Sequence, residues 1–262
     1  MTGIFAATAI SIWIAMTVLW LVSLARRDAS IADAFWGPGF ALVVAVTLAM
    51  TALPTSHALL LAAMTALWSL RLGFHLLRRN LRHGEDRRYR AMRESGGARW
   101  PLRSYVTVFL LQGALMWLIS LPLQLGIGLS PAGALSHPLT ALGAALFLAG
   151  FIFEAVADAQ LWRFRQDPAN AGRVMDKGLW RFSRHPNYFG ETCVWWGLWL
   201  AACPSPWVAL TVCSPVLVTV LLTRVSGVPL AERHMRGHRP GYRTYIKRTS
   251  SFIPWPPSNR TI

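Results

Sequence analysis

Acidic side chains are scarce in this sequence. Eleven Asp and Glu stand against 26 Lys and Arg in 262 residues, a formal net charge of +15, and charged residues of both signs make up only 14% of the chain. Hydrophobic residues make up 54%, and thirteen residues are Trp. So little charge excludes an ordinary soluble domain, in which about a quarter of residues are charged. Cysteine is scarcer still. Cys193, Cys203 and Cys213 form no CxxC pair, so no metal site is expected from them, and they read as small hydrophobes. The chain also lacks a Walker A lysine motif, an HExxH pair, a nucleophile elbow and a GxGxxG turn after a strand. That excludes the usual P-loop, zinc-protease, hydrolase and Rossmann chemistries. A nucleotide, if one binds, binds in a helical bundle. Internal repeats, low-complexity linkers and signs of a second domain are lacking too.

What is present is apolar runs of the length needed to cross a bilayer core, about 20 residues for roughly 30 Å. They predict an all-α polytopic membrane protein, one domain over residues 1–262, with about seven transmembrane helices. The first is Ile4–Ala25, read as a retained span and not a signal peptide. Residues 28–39 re-enter before a second span to about Leu53, and a third begins at Ala58. The others are expected at Val106–Leu125, Leu139–Trp162, from the 178–191 stretch to near Cys203, and at Trp207–Thr223. All Lys and Arg fall in or beside Arg26–Arg27, Arg71–Arg103, Arg163–Arg184 and Arg224 onward. The connections at Pro54–His57, Ser130–Pro138 and Pro204–Pro206 carry none. Alternately charged and bare connections follow the positive-inside rule, placing the N-terminus outside and the C-terminus in the cytoplasm. A nucleic-acid-binding protein has no reason to alternate in this way, so membrane lipids, not nucleic acid, are the expected surroundings.

The polar residues that resist a purely structural reading gather in one stretch, Gly178-Leu-Trp-Arg-Phe-Ser-Arg-His-Pro-Asn-Tyr-Phe-Gly-Glu191. Pro186 begins a helix at no cost, since its missing N–H would be unpaired there anyway. Arg181, Arg184 and His185 then sit at the helix entrance, a natural place for phosphate, with Asn187, Tyr188 and Glu191 beyond on one face. A carboxylate one turn inside an apolar helix is costly against lipid and so belongs in the interior. There it is able to keep its proton and donate a hydrogen bond, or simply to join two helices. Glu154 and Asp158 either pair on the helix surface with Arg163 or Arg165 or line a polar cavity. Asp33 near Trp36 either complements a helix start or faces inward for substrate or proton handling. The run Glu85-Asp86-Arg87-Arg88-Tyr89 mixes both signs with an aromatic, as a structured loop does. Arg78, Arg79, Arg82 and Arg103 read as membrane-surface anchors.

These residues resemble the steroid 5-alpha-reductase family, most closely its bacterial membrane branch. The likeness rests on the 178–191 run, on Asp158 and Arg165 upstream, and on the tail Gly241-Tyr-Arg-x-Tyr-x-x-Arg-Thr-Ser-x-Phe-Ile-Pro-Trp. It is strongest over residues 154–262. Toward the N-terminus the landmarks are Asp33-x-x-Trp-Gly and Asp86-Arg-x-Tyr89. The resemblance implies a seven-helix enzyme of a bacterial inner membrane that binds NADPH in a cytoplasm-facing cavity. It implies hydride transfer to the C4–C5 double bond of a 3-oxo-4-ene steroid or a related apolar enone. Carried over position by position, Glu191 is the catalytic glutamate. Asp158, Arg165, Arg181, Arg184, His185, Asn187 and Tyr188 are cofactor positions, joined by Arg224, Tyr242, Tyr245, Asp86 and Arg87.

The family's third-helix tyrosine, which helps polarise the ketone, has His75 in its place on the alignment through Arg71. Either His75 takes that part or Tyr89 does, and Asp33 stands for the family's early-helix carboxylate. The Arg184-His-Pro-x-Tyr-x-Gly-Glu191 run also resembles membrane methyltransferases that use S-adenosylmethionine. Those carry an Arg-x-x-x-Glu-Glu near the C-terminus, whereas this chain reads Arg224-Val-Ser-Gly-Val-Pro-Leu-Ala-Glu232 without paired glutamates. A transporter would show interrupted helices in matching halves, and none are found. The reductase is therefore the expected class. The resemblance leaves the natural substrate and the oligomeric state open.

Overall fold

The computed structural model describes residues 1–258, apart from the side chains of Arg82, His83, His234, Arg236 and His238. The fold is all-helical, as expected; among the described residues no strand forms, and Ser183 and Ser250 make an isolated β-bridge. The principal helices are α1 Thr2–Arg26, α2 Ile31–Ala34, α3 Trp36–Ala49, α4 Ser56–His83, α5 Arg87–Gly96, α6 Trp100–Ser104, α7 Leu111–Ile119 and α8 Leu121–Gly128. They continue as α9 Pro138–Gln166, α10 Pro186–Ala202, α11 Cys213–Val220, α12 Val228–His238 and α13 Tyr242–Arg248. Proline marks the starts. Pro138 and Pro186 open α9 and α10, and Pro101, Pro122 and Pro229 lie in the first turns of α6, α8 and α12, where the absent N–H removes no hydrogen bond.

Five stretches are long and apolar enough to cross a bilayer: Thr2–Arg26, Ser56–Leu81, Arg87–Ile119, Pro138–Gln166 and Val208–Arg233. Their outward faces suit lipid. On α1 alone, Ile10, Trp13, Ile14 and Leu21 are each more than half exposed, an arrangement water would penalise. The sequence suggested seven spans. Two of the expected seven are short helices: α3 has 14 residues and α10 has 17, about 21 Å and 26 Å at 1.5 Å per residue. Boundaries move as well. The third expected span absorbs Arg78, Arg79 and Asn80 into α4, and the fourth is interrupted by a π-helical turn at Tyr105–Leu110 and a break at Ser120.

The chain divides into two compact units. The first comprises Met1–Ala141 and Leu198–Ser214; the second comprises Leu142–Gly197 and the chain from Pro215 onward. In the first unit α3 lies against α4 at backbone distance, since a Cβ on Gly37 would fall 2.5 Å from the Ser69 carbonyl oxygen. In the second, α9 and α10 meet in the same manner. A Cβ on Gly190 would fall 2.6 Å from the Glu154 amide nitrogen, and one on Gly197 2.4 Å from that of Phe147. Backbone cannot rotate out of the way as a side chain can. This packing fixes the register in which the polar residues of α9 face those of α10.

Gly190→Ala and Gly197→Ala should each therefore cost about 1–3 kcal/mol, read as a lower melting temperature of the detergent-solubilised protein. Gly237→Ala on α12, where nothing lies within 4 Å, should leave it unchanged or raise it, because Ala favours helix over Gly by up to about 1 kcal/mol.

Candidate functional site

In the second unit the polar residues of α9 and α10 are sunk into the protein. Glu154, Asp158 and Glu191 are all buried, the least covered of them 9% exposed. Of the two sequence readings, surface of α9 or interior, the burial of Glu154 and Asp158 supports the interior. Asn187, on the first turn of α10, donates from Nδ2 to Asp158 Oδ1 at 3.1 Å. Because a carboxylate only accepts, this bond settles which way the amide lies. The Asn187 Oδ1 is left buried with no hydrogen-bond donor among the described residues, and so are His185 Nε2 and Thr192 Oγ1. Buried polar atoms are nearly always satisfied. The three atoms fall within eight residues at the start of α10. The His185 ring stacks on Tyr188, centroids 5.5 Å apart and nearly parallel. Burial lowers its pKa, against the opposing pull of Glu232, whose Oε1 is 3.6 Å away.

The tail closes over the start of α10. Tyr245 donates its hydroxyl proton to the Trp180 carbonyl, Ser183 donates to the Phe252 carbonyl, and the Trp255 amide donates to the Phe182 carbonyl. Burial pushes the Tyr245 phenol up from its ordinary pKa. Arg184 is the centre of this closure. Its guanidinium meets Glu232 at 2.6 Å and donates to the carbonyls of Thr249 and Ile246, with both charged partners buried. The sequence placed Arg184 among the phosphate contacts. The structure commits it instead to Glu232 and the tail, a partner that sequence spacing gave no means of finding. Tyr242 and Tyr245, also expected at the cofactor, are almost wholly buried beneath the same tail. Arg181, Arg165 and Arg224 are the exposed cations of this unit's expected set, and Tyr188 is half-buried.

In the first unit the structure brings together Asp33 and Tyr89. The Tyr89 hydroxyl donates to Asp33 Oδ1 at 2.6 Å, while Arg88 Nη2 lies 3.0 Å and Arg79 Nη2 4.0 Å from Oδ2. Gln112 on α7 joins them from Nε2, 3.0 Å from the Tyr89 hydroxyl and 3.4 Å from Asp33 Oδ1. Asp33 sits in the first turn of α2 as well, the position its helix-start reading gives it. Asp86 caps α5, accepting from the Arg88 amide at 2.9 Å. Hydrogen bonds and charge from Arg88 outweigh burial and hold its carboxyl below the usual range. The buried Glu85 pairs with Arg93 at 2.6 Å. Arg87 is exposed, and His75 is half-buried on α4. Gln112 went unnoticed in the sequence, where it is one amide in an apolar run. An apolar groove of about 350 Å³ runs between α1 and α7, bordered by Ile12, Trp13, Met16, Phe109, Gly113 and Trp117.

Residues 19–249 match the family described as "Protein of unknown function (DUF1295)". The chain belongs to this family. DUF1295 falls within the steroid 5-alpha-reductase-like superfamily, so the coarse part of the sequence resemblance holds. An uncharacterised protein of the fission yeast Schizosaccharomyces pombe is similar, at 26% identity. That match covers 70% of this chain and 60% of the yeast protein's length. Apart from Asp86 and Arg87, every position the resemblance assigned to the cofactor lies in the second unit of this DUF1295 protein, as does Glu191.

Glu232→Gln should destabilise the protein by roughly 3–5 kcal/mol by leaving the buried Arg184 charge uncompensated, while Arg184→Met with Glu232→Leu should recover much of that loss. Thermal unfolding of the single and double variants checks both. His185 carries a sign of its own. A base whose folded pKa is lowered gives up stability once the unfolded chain begins to take protons, so its contribution is intact above about pH 6.5 and shrinks as pH falls below it. Melting temperatures of wild type should fall more steeply between pH 7.5 and 5.5 than those of His185→Asn.

Proposed function

We propose that this DUF1295 protein is an NADPH-dependent membrane reductase. It acts on the carbon–carbon double bond of an apolar enone, a 3-oxo-4-ene steroid or a related lipid, and its cofactor site faces the cytoplasm of a bacterial inner membrane. The reading takes the chain to cross the membrane seven times, the short α3 and α10 included. The observation that carries it is the set of unsatisfied polar atoms at the start of α10, beside a buried carboxylate. Asn187 Oδ1, held in place by Asp158, is an acceptor in want of an N–H donor such as a carboxamide. Arg181, Arg165 and Arg224 are exposed guanidinium groups in the same unit, the type of donor that fits phosphate best. The residues therefore suit a dinucleotide with a nicotinamide at one end and phosphates at the other. Superfamily membership supports the same choice.

NADPH, when bound, supplies the hydride. The protein's own contribution is orientation, exclusion of water and stabilisation of charge. Asp158 and Asn187 orient the ring end, and His185 with Tyr188 offers a stacked aromatic surface. Hydride arriving at the β carbon of an enone drives negative charge onto the ketone oxygen. Glu191 in its acid form donates a hydrogen bond to that oxygen and so stabilises the charge, and the proton needed to complete the reduction comes from a donor of this kind. His75, Asp33 and Tyr89 belong to the first unit and enter the proposal through the resemblance. An apolar substrate reaches such a protein from the bilayer, with lipids as its surroundings.

The purified protein should show a higher melting temperature with NADPH than with NADH or S-adenosylmethionine, the increase growing with ligand concentration. Arg181→Ala should weaken the NADPH response. Glu191→Gln should keep it and lose turnover of a 3-oxo-4-ene steroid by about a hundredfold or more. A response to S-adenosylmethionine alone would replace the reductase with a methyltransferase.

A further inference from the structure

The geometry points to a second ligand contact in the first unit, in which the side-chain carbonyl of Gln112 accepts a hydrogen bond from the hydroxyl of an apolar alcohol. Three observations carry this. The first is the direction of the amide. Gln112 Nε2 faces the Tyr89 hydroxyl at 3.0 Å and Asp33 Oδ1 at 3.4 Å. Asp33 can only accept, and the Tyr89 proton is already given to it at 2.6 Å. An amide turned the other way would set oxygen against oxygen, so Oε1 must point away from the pair. The second is what Oε1 meets: it is buried and has no hydrogen-bond partner among the described residues. An acceptor buried without a donor is costly, and this one sits in the apolar stretch Arg87–Ile119.

The third observation is how Gln112 comes to face inward. The π-helical turn Tyr105–Leu110 ends two residues before it. Such a turn takes up one extra residue, which rotates everything after it by about 100° relative to a continuous α-helix. At the first residue of the turn, Tyr105 takes a hydrogen bond from Trp13 of α1. After it, Gly113 lies close against Ile12 and Met16 of the same helix, which directs Gln112 to Asp33 and Tyr89. A helix distortion that aims one amide, a carboxylate and a tyrosine that lock it, and a free carbonyl at the end form a chain with a single consequence. Asp33 and Tyr89 act here as positioning residues. The ligand must bring a donor, which a ketone lacks and an alcohol has. The assignment goes beyond the reductase reading and does not depend on it.

The test uses the full chain in phosphatidylcholine nanodiscs with two radiolabelled probes, 4-octylphenol and its methyl ether 4-octylanisole, which share the apolar body and differ in the donor. Wild type should bind the phenol saturably and at least about tenfold more tightly than the ether, since the ether leaves the acceptor unpaired. In Gln112→Met the ratio should fall to near one. Tyr89→Phe, which removes the nearer of the two partners of the amide nitrogen, should lower the ratio more than it lowers binding of the ether. Equal affinity for both probes in wild type, no saturable binding of either, or a preference that survives in Gln112→Met would each overturn the assignment. Should Gln112→Met fail to fold, Gln112→Leu takes its place, with a ratio near one expected and a surviving preference overturning the assignment, and a melting response to NADPH reports on the reductase reading separately.

Discussion

A polar group inside an apolar helical protein must find its partner within the protein, because lipid offers none and every unsatisfied donor or acceptor costs several times what it would in water. Much of this structure follows from that constraint. Asp33 and Glu85 are answered by arginines and Asp158 by an amide, and Glu232 meets Arg184. The pairings of Asp33, Asp158 and Glu232 join residues 29 to 55 positions apart, so these acids of a strongly basic chain act as its long-range fastenings. Scarcity gives them weight. With 11 acids to 26 bases, most cations are left for surface and ligand, while an acid taken into the interior comes with a designated partner.

The second unit shows how packing and chemistry constrain each other. Backbone contact through Gly190 and Gly197 brings α9 and α10 as near as two helices can come, and that closeness sets Asp158 within reach of Asn187. Glycine is needed for this, since any Cβ would hold the helices apart. The tail then excludes solvent from the helix entrance. Arg184 is the residue through which this is done, and a buried ion pair is well suited to it: it adds little net stability but strongly disfavours arrangements in which either charge is alone.

The sequence made the helical class plain, because long apolar runs and alternating charge are one-dimensional signals. It also located the stretch from Arg181 to Glu191, where proline, basic residues and a carboxylate stand next to one another. It did not reveal which cations are spent internally. Arg181 and Arg184 look alike in sequence, and only the approach of Glu232, 48 residues away, separates an exposed guanidinium from a buried one. Hydropathy does not register the break that ends α3 at Ala49 or the π-turn within the fourth run, so neither helix length was legible. Gln112 was invisible for a related reason. Its significance lies in a rotation of the helix and in two partners 79 and 23 residues distant, neither of which leaves a local pattern.

A single device recurs in the two units, each considered alone. A carboxylate captures the N–H₂ end of an amide, and the amide oxygen becomes a buried acceptor of fixed direction, at Asn187 in one and at Gln112 in the other. An asparagine or glutamine without such a partner can rotate to suit either a donor or an acceptor and so discriminates poorly. Once its nitrogen is held, the oxygen can satisfy only a donor, and a molecule presenting a carbonyl there meets repulsion on top of the lost hydrogen bond. On the two proposals made above, the carboxylate sets selectivity without touching the ligand. This explains why an acid is worth burying in a chain that has so few, and why the amide beside it, and not the acid, faces outward from the pair.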